Sequence, residues 1–402
     1  MADTVREIAT TLGEARDEQV AQVVALVDAM QERGAADALI APLRARLLRL
    51  RPPRRPRFGR VLFTPFDPVI VPATAWRDRT ATLPRTALAP IEGIVRVGLG
   101  AGVVAIEAAV AEASGADPLA VARLGQLLWK PASEALRRAP DHPPPAWADA
   151  GLPAALFTPI CRAAATVLAA ASAIEAWSRR SGAPQLAELE RLLAAALAHD
   201  AGACGMLGAV LLARLPQASA DILLALGALG KPEANAAPMP AQHAVEAVLG
   251  QLDGAAAAEV GSAPLPDAAR TIERAALLLD GLGRNAGPMR RERLEAARAA
   301  LDARSRARFT ETLSHLLAEP AQEAADDDAL APALEASARD LRRFETAARQ
   351  LGGAQSYDHA LRRAAEEVFA LPQSVALTRV ERLRLAEILA GPEQALRLFG
   401  RG

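Results

Sequence analysis

Apolar side chains recur every three or four residues along most of this 402-residue chain, which is the period of an α-helix. The first clear stripe, VAQVVALVDAM at residues 20–30, ends shortly before Gly34, a residue type that suits a helix C-terminus. Proline often stands where a later stripe begins, its favoured place in a first helical turn. Helices are therefore predicted at about Asp17–Arg33, Ala35–Leu50, Ile91–Ala113, Pro118–Arg138, Pro153–Arg180, Pro184–His199, Ala201–Leu215, Gln217–Leu229, Pro240–Leu252, Pro266–Leu282, Pro288–Ala318, Ala321–Leu351, Ser356–Leu371, Thr378–Ala390 and Pro392–Phe399.

One stretch departs from the helical pattern. Residues 44–60 hold eight arginines and no acidic residue, and residues 58–71 continue as an aromatic and aliphatic run interrupted by prolines. From Pro53 to about Pro90 we expect little regular structure, because each proline removes a backbone donor that a helix or a central strand needs. The stretch therefore separates the first two predicted helices from the others.

The apolar residues of this segment argue against a disordered linker. VLF at residues 61–63 and VIV at residues 69–71 are too hydrophobic to stay in water. We therefore predict an extended segment that crosses the helical body with these side chains inserted into it. A short edge strand, or a hairpin that reverses at Asp67–Pro68, is the alternative.

These patterns predict an all-α fold: a multi-helix irregular or solenoid-like array with one extended Pro/Arg-rich crossing segment. Charge is denser from residue 284 onward, with 37 charged residues among the last 119, so those helices are expected to be half-exposed, and the helices between about Ile91 and Leu252 more fully buried. The predicted segments are an N-terminal helical hairpin at 1–50, the Pro/Arg-rich segment at 51–90, an apolar Ala/Leu-rich core at 91–283 and a more charged C-terminal layer at 284–402.

Composition restricts both the core and the partners of the protein. Hydrophobic residues make up 51% of the chain but aromatic residues only 3%, so alanine, leucine and valine must fill the core and helices must approach closely. The net charge of −1 supplies no global attraction to nucleic acid or membrane, so any such affinity must come from a local patch.

Two cysteines and the charge-free runs bear on cellular location. Cys161 and Cys204 lie in apolar helical runs and are predicted to be buried small hydrophobes, not a disulfide. The longest charge-free runs are shorter than the roughly 18 residues that span a membrane, and the N-terminus has no apolar signal-peptide region. We therefore expect a cytoplasmic protein with no transmembrane segment.

The arginine-rich stretch is the first candidate site. Guanidinium groups bind carboxylates and phosphates, so it fits an anion or an acidic partner; the alternative is a solvated helix end and loop. A protein partner, not yet identified, comes first because the net charge is nearly neutral and the neighbouring aromatics stand beside prolines, which suggests packing. The candidate binding residues are Arg51, Arg54, Arg55, Arg57, Arg60 and Trp76.

Other motifs fail on spacing. Gly98, Gly100 and Gly102 resemble a dinucleotide-binding turn, but the third glycine falls one residue early and no alternation of strand and helix follows. Gly98 and Gly102 fit better as small faces where two helices touch. The five histidines are scattered singly, and no motif for a nucleophile is present, so neither a metal nor a cofactor is predicted.

The sequence thus defines a fold class but no specific activity. The first hypothesis is a non-enzymatic protein-interaction or scaffold protein built from packed helices, with the arginine-rich segment as part of its partner-binding face. A nucleic-acid-binding protein that uses the arginine-rich segments is the second hypothesis. An enzyme with a site assembled from dispersed residues, and association with a membrane surface through the Ala/Gly-rich helices, are the remaining alternatives.

Overall fold

The structure is a computed structural model that describes residues 15, 17–29, 56–74, 76, 81–113, 118–180, 182–229, 240–284, 288–318, 327–371 and 377–400. Contacts divide the chain into two compact units, residues 1–248 and residues 249–402. The change in composition near residue 284 lies inside the second unit, and the four predicted segments stay a prediction. The predicted helix Ala35–Leu50 lies outside the described residues.

Nearly all regular structure in the described residues is helical, which confirms the predicted all-α multi-helix fold. The elements of the first unit are α1 (Asp17–Ala29), α2 (Phe58–Phe63), a 3-10 helix (Thr64–Val69), β1 (Ile70–Val71), β2 (Leu83–Pro84), a 3-10 helix (Arg85–Ala87), α3 (Leu88–Leu99), α4 (Gly102–Glu112), α5 (Pro118–Arg137), α6 (Pro145–Asp149), a 3-10 helix (Ala154–Leu156), α7 (Phe157–Arg179), α8 (Leu186–His199), α9 (Ala201–Arg214), a 3-10 helix (Pro216–Ala218), α10 (Ser219–Ala228) and α11 (Pro240–Gln251).

The second unit continues as helices of varied length. Its elements are a π-helical turn (Leu252–Ala256), α12 (Ala257–Ser262), α13 (Leu265–Gly283), α14 (Pro288–Ala318), α15 (Asp327–Ala348), α16 (Ala354–Phe369), α17 (Arg379–Ala390) and α18 (Pro392–Phe399).

Helix α7 forms the centre of the first unit. It packs against α5 on one side and α9 on the other, and thirteen of its 23 residues are buried. Ala164, Ala165 and Ala171 are among the buried residues, and small side chains of this kind let helices approach closely. Across the contact with α5, the Ser133 hydroxyl donates to the Ala165 carbonyl at 2.7 Å. This hydrogen bond satisfies the only polar atom of the serine side chain inside the core.

The segment between residues 56 and 90 is folded more regularly than predicted. Residues 58–69 form α2 and a 3-10 helix, so the expectation of little regular structure was wrong there. Arg57, not a proline, occupies the N-cap position of α2. Pro65 lies in the first turn of the 3-10 helix, where its missing N–H costs no hydrogen bond. No hairpin forms at Asp67–Pro68; instead β1 and β2 pair in parallel over two residues each.

The insertion of this segment's apolar side chains is confirmed for residues 61–63 and Val69, which are buried, whereas Ile70 and Val71 are half-buried. Helix α2 packs against α3, α4 and α5. The Trp129 indole N–H on α5 donates to the Val61 carbonyl on α2 at 2.9 Å. A proline-rich segment has few backbone partners of its own, so this long-range bond fixes α2 on the core.

The predicted helix Ile91–Ala113 is broken into two. Helices α3 and α4 meet at Gly100, whose φ of +53° is strained for residues with a side chain, and they are bent by 118°. Gly98 packs on α5, where an added Cβ would lie 2.5 Å from the Ala135 Cβ, which confirms it as a helix contact face. Gly102 has nothing within 4 Å of such a Cβ, so that half of the prediction was wrong.

The break exposes α4. Val110 is the one buried residue of this helix, so the expectation of fuller burial between Ile91 and Leu252 fails here. The cause is geometric: after the bend at Gly100, α4 leaves the direction along which α3 packs on α5. An apolar helix with mostly exposed side chains results.

Helices α12–α18 of the second unit pack through apolar stripes. Helix α15 contacts α13, α14 and α17, and α16 contacts α17 and α18. The spacing of Thr378 and Glu381 in the sequence predicts a capping box at the start of α17, and the structure confirms it. The Glu381 N–H donates to the Thr378 hydroxyl, and the Thr378 N–H donates to the Glu381 carboxylate. Arg382 is buried and donates to the Leu371 and Leu377 carbonyls, which satisfies the end of the preceding segment.

One helical stretch of the described residues, Ala154–Arg179, has the length and the mean hydropathy, 1.6, that crossing a membrane requires. The number rises to three if each of two bent pairs, α3 with α4 and the α9 region with the α10 region, counts as one span. This finding concerns length and composition alone. Of the 18-residue window within this stretch that meets the hydropathy requirement, 61% is buried inside the protein. The absence of a transmembrane segment stays a prediction.

We predict that Gly125→Ala destabilises the first unit. A Cβ at Gly125 would overlap the buried indole of Trp129, one helical turn away, and would displace its bond to Val61. The expected loss is about 1–3 kcal/mol, as for other overpacked core positions. Urea unfolding followed by tryptophan fluorescence measures it, because all four tryptophans lie before residue 249.

Gly93→Ala is the matched control for this experiment. Gly93 is an exposed glycine inside α3 with nothing within 4 Å of an added Cβ. Alanine there is expected to stabilise by up to about 1 kcal/mol through helix propensity alone. Equal effects of the two substitutions would contradict the proposed packing of Trp129 over Gly125.

Candidate functional site

The predicted arginine-rich site is only partly described. Arg51, Arg54 and Arg55 lie outside the described residues. Arg57 is exposed at the start of α2, and Arg60 is an exposed residue of α2 whose guanidinium pairs with the Asp67 carboxylate at 2.6 Å.

Trp76, the last residue of the predicted site, is half-buried in the first unit. Its backbone N–H donates to the Pro72 carbonyl at 3.0 Å, at the end of a turn that follows β1. Their exposure and pairing do not test a binding role for Trp76, Arg57 or Arg60, so that role stays a prediction.

Arg96 on α3 ties α2 to the α3–α4 hairpin. Its guanidinium stacks 4.3 Å from the centre of the Phe58 ring and pairs with Glu92 at 2.8 Å and with Glu107 on α4 at 2.5 Å. Burial lowers the pKa of Arg96, but the hydrogen bonds to the two glutamates outweigh it and raise the pKa overall. One side chain thus holds the bend between α3 and α4 and the flank of α2 together.

An apolar groove lies beside this hairpin. Its volume is about 410 Å³, and it runs between α3, the C-terminal end of α5 and α6. On the α3 side the lining residues include Gly93 and Gly98, which have no side chain. The rest of the lining includes Ala135 and Pro144. Arg138 is the one charged residue among those that line it. We call this feature the hairpin groove.

Two valines extend the apolar surface outward from the hairpin groove. Val97, which lines it, is 83% exposed, and Val104 on α4 is 71% exposed. Scattered exposed aliphatic residues are normal, but apolar exposure beside a groove makes this surface a candidate interaction site. Sequence reasoning missed this surface. The Gly-rich bend at Gly98–Gly102 was its signal, yet the pattern alone did not show which side of α4 would be left uncovered.

A second, polar cleft lies on the other side of the end of α5. Its volume is about 420 Å³, and residues of α5, α7 and α8 line it together with the segment that follows α5. Arg137, Asp141, Arg162 and His199 supply its charged and titratable side chains. Cys161 lies at its base, 3% exposed. We call this feature the polar cleft; none of its residues was singled out as a site by the sequence.

The cysteines behave as predicted small hydrophobes. Both Cys161 and Cys204 are free and buried. Burial raises the pKa of Cys161 to about 12, and burial together with the Asp200 carboxylate raises that of Cys204 to about 11. A neutral thiol is a poor nucleophile and a poor metal ligand, so neither residue is primed for chemistry at neutral pH.

The second unit holds a buried polar cluster. Glu345 on α15 is fully buried and pairs with Arg342 at 2.7 Å and with Arg349. Arg349 also pairs with Asp358 on α16, and that hydrogen bond is the main cause of the lowered pKa of Asp358. The arrangement locks α15 to α16 through a carboxylate that would be costly to bury alone.

Tyr357 lies within the same region. Its ring packs edge-on against Phe309 of α14, with ring centres 4.9 Å apart, and it is 1% exposed. Its hydroxyl forms no hydrogen bond with a described residue, and the same holds for one carboxylate oxygen of the nearby Asp302. Burial, followed by the charge of Asp302, raises the pKa of Tyr357. Neither residue lines the hairpin groove or the polar cleft.

The described residues contain no group of three or more histidine, cysteine, aspartate or glutamate side chains arranged to hold a metal ion. Comparison of the chain with protein-family models, with curated proteins and with solved structures gives no match. The hairpin groove and the polar cleft are therefore judged on their own residues.

We predict that the first unit loses stability as the pH rises above 9. The ordinary thiol pKa is 9.0, and folding raises it for both cysteines, so the folded state keeps protons that the unfolded chain releases. The contribution is complete below pH 9 and is lost as the pH rises toward 11 for Cys204 and toward 12 for Cys161. Urea unfolding by tryptophan fluorescence between pH 8 and 11 measures the fall. A Cys161→Ala/Cys204→Ala variant with the same pH slope would contradict it.

We predict that Tyr357→Phe leaves the second unit as stable as before or stabilises it by up to about 1 kcal/mol, because the lost hydroxyl has no partner there. Phe309→Leu is the contrasting variant and is expected to cost about 1–3 kcal/mol through lost packing and a lost ring pair. Hydrogen exchange of peptides from α14 and α16 measures both. A loss of protection in Tyr357→Phe that matches Phe309→Leu would show that the hydroxyl has a partner.

Proposed function

We propose that this is a non-enzymatic interaction protein built from packed helices, whose partner-binding face is the hairpin groove together with the exposed side of α4. The observation that carries the proposal is the exposure of Val97 and Val104 on the two arms of a tight helical bend next to that groove. Burying a valine side chain contributes about 1.5–3 kcal/mol, so two such residues supply a substantial part of a binding energy.

The shape of the groove favours a helix as the occupant. Gly93 and Gly98 make its α3 wall nearly flat, and a volume of about 410 Å³ accommodates a row of two or three aliphatic side chains. Amphipathic helices bind in apolar grooves through side chains one turn apart. We therefore commit to the apolar face of an amphipathic helix in a protein partner.

Charge adds a second requirement on that partner. Arg138 lines the groove, its Nε donates to the Glu134 carbonyl at 3.2 Å, and it forms no ion pair with a described residue. An acidic residue at the edge of the partner helix would pair with its free guanidinium nitrogens. Arg57, which is exposed at the start of α2, would strengthen the same preference for an acidic partner, because α2 packs on α3 and α4.

The test fills the groove without disturbing the core. Gly93→Leu places a bulky side chain in the groove, at a site where an added Cβ meets nothing within 4 Å. Tagged wild type and variant are cross-linked in the native host, and the captured proteins are identified by mass spectrometry. We expect a protein with an acidic amphipathic helix that wild type captures and Gly93→Leu loses. Gly227→Leu, at an exposed helical glycine with equal space, is the matched control and should keep the partner.

A synthetic peptide of the captured helix makes the result quantitative. Its fluorescence anisotropy should give an affinity that Gly93→Leu and Val97→Gln each weaken by at least about tenfold, which corresponds to about 1.4 kcal/mol. Identical captured proteins in wild type and Gly93→Leu would overturn the proposal. So would a wild-type dimer that Val104→Gln dissociates, sedimentation with lipid vesicles, or salt-sensitive retention on DNA, since each assigns the face to another occupant.

A further inference from the structure

The arginines of the polar cleft differ from the paired arginines of the first unit. Arg60 and Arg96 pair with carboxylates, and Arg179 and Arg214 share the carboxylate of Glu175. Arg137 and Arg162 are exposed residues that line the cleft, and neither forms an ion pair or a side-chain hydrogen bond with a described residue.

These two arginines come from different helices. Arg137 ends α5, and Arg162 lies in the second turn of α7. Helices α5 and α7 pack closely, with the Ser133–Ala165 hydrogen bond between them, so the backbone that carries both arginines is fixed. Two cations that line one rigid cleft without an ion pair to a described residue repel each other, and an anion between them removes that repulsion.

Further donors surround the same space. The Thr158 hydroxyl lies one turn before Arg162 and forms no hydrogen bond with a described residue, and the His199 imidazole at the end of α8 lines the opposite side. Two guanidinium groups, a hydroxyl and an imidazole offer more donors than the two oxygens of one carboxylate can use. The three terminal oxygens of a phosphate monoester match them better.

Asp141 further restricts the class of ligand that the cleft can bind. It also lines the cleft, and its carboxylate would repel an anion that approached it directly. A ligand with a hydroxyl or an ammonium group beside its phosphate satisfies Asp141 as a hydrogen-bond acceptor. Phe157 and Leu136 give the cleft an apolar wall, and its volume of about 420 Å³ suits a small organic molecule.

We propose that the polar cleft is a binding site for a small phosphate monoester that carries a hydroxyl or ammonium group, held by Arg137, Arg162 and Thr158. The site is distinct from the hairpin groove: the two share Ala139 and Pro140 as lining residues but have no charged residue in common. Variants at the charged residues of the polar cleft therefore test this proposal separately from the one for the hairpin groove.

The experiment uses the full-length protein and glycerol 3-phosphate, whose hydroxyl groups lie next to the phosphate. Isothermal titration calorimetry at constant ionic strength should show saturable binding to a single site. Arg137→Gln and Arg162→Gln should each raise the Kd by at least about tenfold, the usual effect of losing a charged hydrogen bond. Arg191→Gln, at another exposed arginine of the first unit that does not line the cleft, should leave it unchanged.

Two further measurements separate the proposal from general attraction of anions. Asp141→Asn should tighten the binding of inorganic phosphate by about two- to five-fold, because a nearby like charge is removed. Succinate should bind at least about tenfold more weakly than glycerol 3-phosphate, since carboxylates cannot use all the donors.

Several results would overturn the inference. They are the absence of saturable binding, equal loss of affinity in Arg191→Gln, succinate binding as tightly as glycerol 3-phosphate, and unchanged phosphate affinity in Asp141→Asn. Tryptophan fluorescence melts of each variant accompany the titrations. If an arginine variant loses its melting transition, the phosphate affinity of Asp141→Asn tests the inference instead. This substitution is at an exposed residue and is expected to increase the affinity, not to reduce it.

Discussion

Close packing of small side chains around α7 is the constraint on which the first unit depends. A chain with only 3% aromatic residues must fill its core with alanine, leucine and valine, so its central helices approach one another closely. Large side chains then fit only where a neighbouring residue leaves space for them. Trp129 fits because Gly125 has no Cβ, and Trp147 fits edge-on against Phe157 with ring centres 5.1 Å apart. The same tight contacts hold α5 and α7 in register and so give the polar cleft rigid walls.

This packing also explains where the first unit is left open. Helix α3 packs on α5 through Gly98, and the bend of 118° at Gly100 then gives α4 a different direction, in which Val110 is its one buried residue. Apolar residues such as Val104 remain exposed, and the hairpin groove lies beside the bend. The surface proposed for a partner helix is therefore a direct consequence of one glycine-dependent break, not of an unusual local composition.

Pairing of charges separates structural arginines from candidate binding arginines. Arg96 and Arg349 each join helices through two carboxylates. Substitution of either arginine is therefore expected to disturb helix packing. Arg137 and Arg162 have no such partners among the described residues and line a cleft instead. The density of arginines along the sequence is thus a weaker indicator of a binding site than the lack of an ion-pair partner in the structure. The dense run that contains Arg60, for example, includes a paired residue.

The sequence by itself determined the helical class, most helix positions, the capping box at Thr378 and the burial of both cysteines, because period, cap and turn chemistry act over a few residues. It did not determine the folding of residues 58–69 into helix, since the Trp129–Val61 bond that fixes α2 spans 68 residues. Nor did it determine that α4 would be exposed or that Arg137 and Arg162 would share a cleft. These features follow from which helices meet in space, and local spacing contains no information about contacts between distant segments. Only the tertiary structure decided them.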